Sequence, residues 1–123
     1  MNTGSRKILV VDDDDSIRDV VSKMLCRLGY AVLSADSGEN GLALFLKNKF
    51  DLVMTDFNMS GMDGIHLADY VKEKSPATQV VLMTGADKAV ILSKIKGTAV
   101  AKALFKPFTL VEMDKTVQRL LHP

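Results

Sequence analysis

The chain has 123 residues, close to the commonest size of one domain, and its 47% apolar and 25% charged residues are the balance of a globular protein. Lys and Arg number 16 and Asp and Glu 15, a formal net charge of +1, without the basic excess of a dedicated nucleic-acid binder. One cysteine, Cys26, excludes an intramolecular disulfide or a multi-cysteine zinc site and fits a reducing, cytoplasmic setting, while the longest apolar run, Leu42 to Leu46, is far short of the ~20 residues that span a membrane.

Residues 1–6 are expected to be a flexible N-terminus to a single domain covering 1–123. Ile8 to Val11 is a continuous apolar run rich in β-branched residues, the pattern of a strand buried on both faces. Ile17, Val20, Val21, Met24, Leu25 and Leu28 then recur at helical spacing, with Asp14, Asp15 or Ser16 to cap the start and Gly29 to stop the helix. Tyr30 to Ala35 predicts a second strand, and Ser37 to Lys49 a second helix packed through Leu42, Phe45 and Leu46. Cys26 is expected to be a partly buried helix residue.

Asp51 to Thr55 predicts a third strand running into Asp56, followed by a loop marked by Gly61 and Gly64. Ile65 to Lys74 is a short helix, with His66 facing solvent. Gln79 to Met83 is the fourth strand and runs into Thr84. Lys88 to Lys96 carries the faintest helical pattern. Ala101 to Phe105 is the fifth strand, ending at Lys106-Pro107, and Leu110, Met113, Val117, Leu120 and Leu121 give a last amphipathic helix. Strands alternating with helices predict an α/β fold with a five-stranded parallel sheet. The commonest order is 2-1-3-4-5, a flavodoxin-like doubly wound three-layer sandwich, whose ligand crevice lies beyond the carboxyl ends of strands 1 and 3.

Four strand ends then deliver polar residues to one rim: Asp12 and Asp13, Asp56, Thr84 and Lys106. Two like charges 4 Å apart cost about 4 kcal/mol at an effective dielectric of 20. Protonation could relieve three such carboxylates, Lys106 supplies one positive charge, and a hard divalent cation, Mg²⁺ with Mn²⁺ as a substitute, is the fuller answer. Four consecutive aspartates, Asp12 to Asp15, repel a phosphate at the turn where dinucleotide-binding folds hold one, and no glycine-rich phosphate loop is present. A carboxylate beside a metal, a lysine and a hydroxyl suits nucleophilic attack on phosphorus.

These segments resemble the response-regulator receiver domains of two-component signalling, of the chemotaxis-regulator type. The matching stretches are Ile8-Leu9-Val10-Val11-Asp12-Asp13-Asp14, Asp51-Leu52-Val53-Met54-Thr55-Asp56, Met59-Ser60-Gly61-Met62-Asp63-Gly64, Val80-Val81-Leu82-Met83-Thr84-Gly85 and Phe105-Lys106-Pro107-Phe108. The strand order is itself that of the family, so fold and resemblance are not independent readings. The resemblance implies that Asp56 is the phosphoacceptor. Asp13, Asp56 and the backbone carbonyl of Asn58 then hold Mg²⁺, and Asp12 acts through a water. Thr84 and Lys106 bind the phosphoryl group, and the Lys106-Pro107 peptide is cis. A histidine kinase or phosphotransfer protein would be the donor, and a downstream protein or a fused output domain the target, with neither nucleic acid nor membrane bound by this domain itself and a weak homodimer as a further partner.

Three departures stand out. Ala103 replaces the family's switch aromatic, three residues before the lysine. Met59-Ser60 replaces a usual Met-Pro, which should loosen that loop. Gly97 lies upstream of the usual Gly-Ala pair, which makes the fourth helix and its following loop atypical. Two other functions stay open. A receiver that binds partners without switching fits Ala103. A phosphohydrolase of the haloacid-dehalogenase type also forms an aspartyl phosphate, but it needs a second Asp where this chain has Asn58, and an amide cannot serve as acid or base. Lys88, Lys94, Lys96 and Lys102 read plainly as a solvated face, and more sharply as a docking surface for an acidic partner.

Overall fold

A computed structural model describes residues 6–59 and 61–122. Residues 1–5 of the expected flexible terminus therefore lie outside the described residues, as does Ser60. Arg6 is tied down: its carbonyl accepts from the Ala31 N–H, and its guanidinium lies 4.0 Å from Asp51.

Every predicted element is present, in order: β1 (Lys7–Val11), α1 (Asp15–Arg27), β2 (Ala31–Ala35), α2 (Gly38–Lys47), β3 (Leu52–Asp56), α3 (Gly64–Lys74), β4 (Gln79–Thr84), α4 (Lys88–Ile95), β5 (Lys102–Phe105) and α5 (Leu110–Leu121). The strands form one parallel sheet in the order β2-β1-β3-β4-β5. Side chains alternate across it with period two. Leu9, Val11, Val53, Val80, Leu82 and Ala103 face α2, α3 and α4. Ile8, Val10, Leu52, Met54, Val81, Met83 and Leu104 face α1 and α5. The continuous apolar runs thus feed two cores at once, and each fully buried aliphatic side chain contributes about 1.5–3 kcal/mol.

Each helix begins on a side chain that accepts from its first turn: Asp14, Ser37, Asp63, Asp87 and Thr109. Thr109 forms a reciprocal capping box with Glu112. Such caps typically contribute about 1 kcal/mol each, and they fix where each loop at the carboxyl rim hands over to a helix.

Two side chains depart from expectation. Leu46 is 59% exposed rather than packed. The inward stripe of α2 is Gly38, Gly41 and Phe45, and a Cβ on Gly41 would come within 2.8 Å of Val11. The helix lies on β1 through glycine, which a hydrophobic count does not register, and Leu46 is turned away. Cys26 is exposed, not partly buried, because Val21 and Leu25 supply the inward stripe of α1. Helix α4 ends one residue earlier than predicted, and Gly97 follows at φ +78°, a left-handed conformation suited to glycine. His66 is exposed and sits 3.1 Å from Asp63.

Candidate functional site

The site is built by register. Strand β1 pairs with β3 so that Val11 faces Thr55, and the residues that follow, Asp12 and Asp56, meet at the rim. Strand β4 places Met83 opposite Asp56, and β5 places Phe105 opposite Thr84. Lys106 comes next and donates its backbone N–H to the Thr84 carbonyl at 2.8 Å. The Lys106-Pro107 peptide is cis.

One carboxylate oxygen from each of Asp12, Asp13 and Asp56 lies within 4.8 Å of the others. Lys106 Nζ donates to Asp56 at 3.1 Å and to Asp12 at 3.3 Å. Asp12 is fully buried, and both its oxygens are engaged: Oδ2 by Lys106 and Oδ1 by the Asp14 N–H at 2.9 Å. Asp13 is exposed. One lysine against three clustered carboxylates leaves a negative excess that suits a hard cation, since oxygen donors of this kind are what Mg²⁺ takes.

Burial pushes the Asp56 carboxyl above its ordinary value of 3.8, Lys106 pulls it down, Asp12 pushes it up, and the net shift is upward. For Lys106, burial favours the neutral amine, but Asp56 and Asp12 outweigh it and hold the ammonium above 10.5. The lysine is therefore a fixed positive charge at neutral pH.

Thr84 is buried at the end of β4, and its hydroxyl accepts from the Ala86 N–H at 3.0 Å. Asn58 is exposed in the loop after β3. Ala103 lies one strand further out on β5, away from the carboxylates, and lines a cleft between α4 and α5.

Two residues of the site escaped the sequence reading. Arg18 donates to the Asp12 carbonyl at 2.9 Å and pairs with Asp15, adding a cation behind the acidic turn. Its i,i+3 spacing from Asp15 was the available signal. A Cβ on Gly64 would come within 2.5 Å of the Asp56 carbonyl and 2.6 Å of Leu82. The start of α3 thus sits directly on the end of β3, which only the close approach reveals.

The response regulator receiver domain, as a family model, matches residues 8–118. The chain belongs to this family. The receiver is 33% identical over 121 residues to the transcriptional regulatory protein ResD of Bacillus subtilis, covering 97% of this chain and 49% of ResD. The chain thus spans about half the length of that relative. Among solved structures, the receiver superposes on chemotaxis protein CheY4 of Vibrio cholerae with a TM-score of 0.88 at 34% identity, over 94% of this chain and 98% of that one. Response regulator TrrA of Thermotoga maritima, solved in complex with Mg²⁺-BeF, matches with a TM-score of 0.83 at 30% identity, over 94% of this chain and 99% of that one. The receiver is thus a signalling domain of two-component systems rather than an enzyme of ordinary turnover. No helix among the described residues is long and apolar enough to cross a membrane.

Proposed function

We propose that this receiver, one domain over residues 1–123, accepts a phosphoryl group on Asp56 from a phosphohistidine of a histidine kinase or phosphotransfer protein. The observation that carries the proposal is the meeting of Asp12, Asp13 and Asp56 within 4.8 Å beside Lys106. An Asp56 oxygen forms the new O–P bond, the donor's P–N bond breaks, and its electron pair leaves on the imidazole nitrogen.

Asp13, Asp56 and the Asn58 carbonyl would hold Mg²⁺, with Asp12 contributing through a water because both its oxygens are already engaged. When bound, the ion neutralises charge on the phosphoryl oxygens. Lys106, held above its ordinary pKa, would keep a positive charge on the opposite side. Thr84 has a hydroxyl proton to donate, since its bond to Ala86 uses the oxygen as acceptor. Positioning and charge account for most catalysis of phosphoryl transfer. The domain would promote its own labelling and a slow hydrolysis, and its output would be a change in affinity for a partner or fused domain. A cytoplasmic setting belongs to the proposal, because it keeps the exposed thiol of Cys26 reduced.

The test is intact mass after incubation with acetyl phosphate, with and without Mg²⁺, beside Asp56→Asn. One added phosphoryl group that needs both Mg²⁺ and Asp56 supports the proposal. No label, where a control receiver is labelled, rejects it. A receiver that binds without switching is the second reading, favoured by the methyl group of Ala103 at a position where an aromatic would couple site to surface. Labelling with unchanged amide spectra outside the rim would select it.

A further inference from the structure

Asp12 is held at every polar group. Its N–H donates to the Ala35 carbonyl at 3.1 Å. Its Oδ1 accepts from the Asp14 N–H at 2.9 Å and its Oδ2 from Lys106 at 3.3 Å. Its carbonyl accepts from Arg18 at 2.9 Å. Only the last of these bonds is made by a side chain from outside the rim's own strand ends and turn. The same guanidinium reaches Asp15 with its other terminal nitrogen. One planar fork thus ties the start of the acidic turn to the start of α1, a geometry that a lysine cannot copy.

The carbonyl of Asp12, the N–H of Asp13 and the Cα of Asp13 lie in one peptide plane. A donor that fixes the carbonyl therefore fixes where the Asp13 side chain leaves the backbone. Asp13 is exposed, so its carboxylate takes its direction from that backbone. Charge alone would argue against Arg18 at this place. A guanidinium stays protonated, and a positive charge beside a cation site opposes the ion. Arg18 also lines a groove of about 480 Å³ with Asp36 and Asn40, but Asp36 accepts from Asn40 at 2.7 Å. The bonds of Arg18 go to the acidic turn.

We propose that Arg18 is a positioning residue for the metal: through the Asp12 carbonyl it aims Asp13 into the site, and Asp15 holds the guanidinium in place. The inference rests on the reading of Asp13, Asp56 and the Asn58 carbonyl as the Mg²⁺ ligands. Orientation and charge then predict opposite signs. Without Arg18, charge alone tightens Mg²⁺ binding, whereas loss of orientation weakens it. Groups that orient metal ligands typically contribute tenfold or more to metal affinity. The groove admits water, so the Asp12 carbonyl of a variant is hydrated rather than orphaned, but a mobile water does not fix the plane.

The experiment is calorimetric titration of Mg²⁺ into chelator-treated protein, with no phosphodonor present. Arg18→Met is expected to bind about tenfold more weakly than wild type. Arg18→Lys, which keeps the charge and loses the fork, also binds more weakly, by several-fold. In the metal-free Arg18→Met protein, the amide order parameter of Asp13 falls below about 0.6, the range of flexible backbone. With acetyl phosphate, half-maximal labelling needs about tenfold more Mg²⁺, while the maximal rate stays within about twofold of wild type. If Arg18→Met fails to fold, Arg18→Lys carries the titration and the order parameter. Equal or tighter Mg²⁺ binding by the variants, or an unchanged Asp13 order parameter, overturns the proposal. A wild type that binds no Mg²⁺ strikes the ligand set and this inference with it. A wild type that binds Mg²⁺ but takes no label strikes the proposed function alone and leaves the role of Arg18 standing.

Discussion

Asp56→Asn should make the metal-free protein more stable, although it removes an ion pair. In chelator at pH 7, the substitution deletes the attraction between Asp56 and Lys106 at 3.1 Å, about 5 kcal/mol at an effective dielectric of 20. It also deletes the repulsion from Asp12, whose oxygen is no more than 4.8 Å away, about 3.5 kcal/mol or more on the same scale. The repulsion from exposed Asp13 adds a smaller, screened amount. The pairwise terms nearly cancel, so the burial of the charge decides the sign, and burial is the largest influence on Asp56. The asparagine oxygen still accepts from Lys106. The expected gain is about 1–2 kcal/mol, a typical size for relieving a partly buried charge. For a domain of this size that raises Tm by about 3–8 °C. The pH dependence follows from linkage. Because the folded-state pKa of Asp56 is raised, its stabilising contribution is complete below 3.8 and is lost as pH rises through the folded value. The wild type should therefore close the gap to Asp56→Asn as the pH falls. Urea titration at pH 7 and at successively lower pH measures both effects. An asparagine variant less stable than wild type at pH 7 would mean that the lysine pair outweighs burial and repulsion together, and the electrostatic account of the site would fail.

The remaining substitutions probe the same rim. Lys106→Met leaves Asp12 and Asp56 without their shared cation and should cost about 2 kcal/mol at neutral pH, less in acid where Asp56, its pKa raised by burial, protonates, as denaturant midpoints will read. Gly64→Ala drives a methyl into the Asp56 carbonyl and Leu82 and should cost about 1–3 kcal/mol; a neutral effect in thermal unfolding would contradict the close contact. Mg²⁺ at ten times its dissociation constant should stabilise the wild type by about 1.4 kcal/mol, read as a rise in Tm, and Asp13→Asn should abolish most of that rise.

Much of the fold was legible because a buried parallel strand writes itself as an uninterrupted apolar run. Ile8 to Val11 and Val80 to Met83 are examples, and each marks its own end with a polar residue. The rim was legible for the same reason: once the strand order is set, register alone carries Asp12, Asp56, Thr84 and Lys106 to one place. What stayed hidden depends on absent side chains. Gly41 and Gly64 bring helices onto the sheet through atoms they do not have, so α2 is rotated relative to its apolar pattern and Leu46 ends in solvent. The lining of the cleft between α4 and α5 was half legible. Lys88 and Lys102 are near in sequence, but Lys115 and Arg119 join them only because α5 packs beside β5.

The route outward from the rim starts at Thr84, and the packing indicates where a change would go. Its hydroxyl accepts from the Ala86 N–H, inside the short loop that leads to the Asp87 cap of α4. A hydroxyl rotated toward a phosphoryl group on Asp56 gives up that bond. Helix α4 has eight residues and one buried side chain, Ile91, whereas α3 buries four residues and α5 four. The helix held least is thus joined to the hydroxyl by two residues. Locally weak elements are where a small loss of free energy shows as motion. Losing one hydrogen bond, about 1 kcal/mol, should speed amide exchange at Ala86 and through the first turn of α4 about fivefold on phosphorylation of Asp56. Exchange in β4 and α5 should stay unchanged. Protection that is equal in both states across Ala86 to Val90 would sever this route.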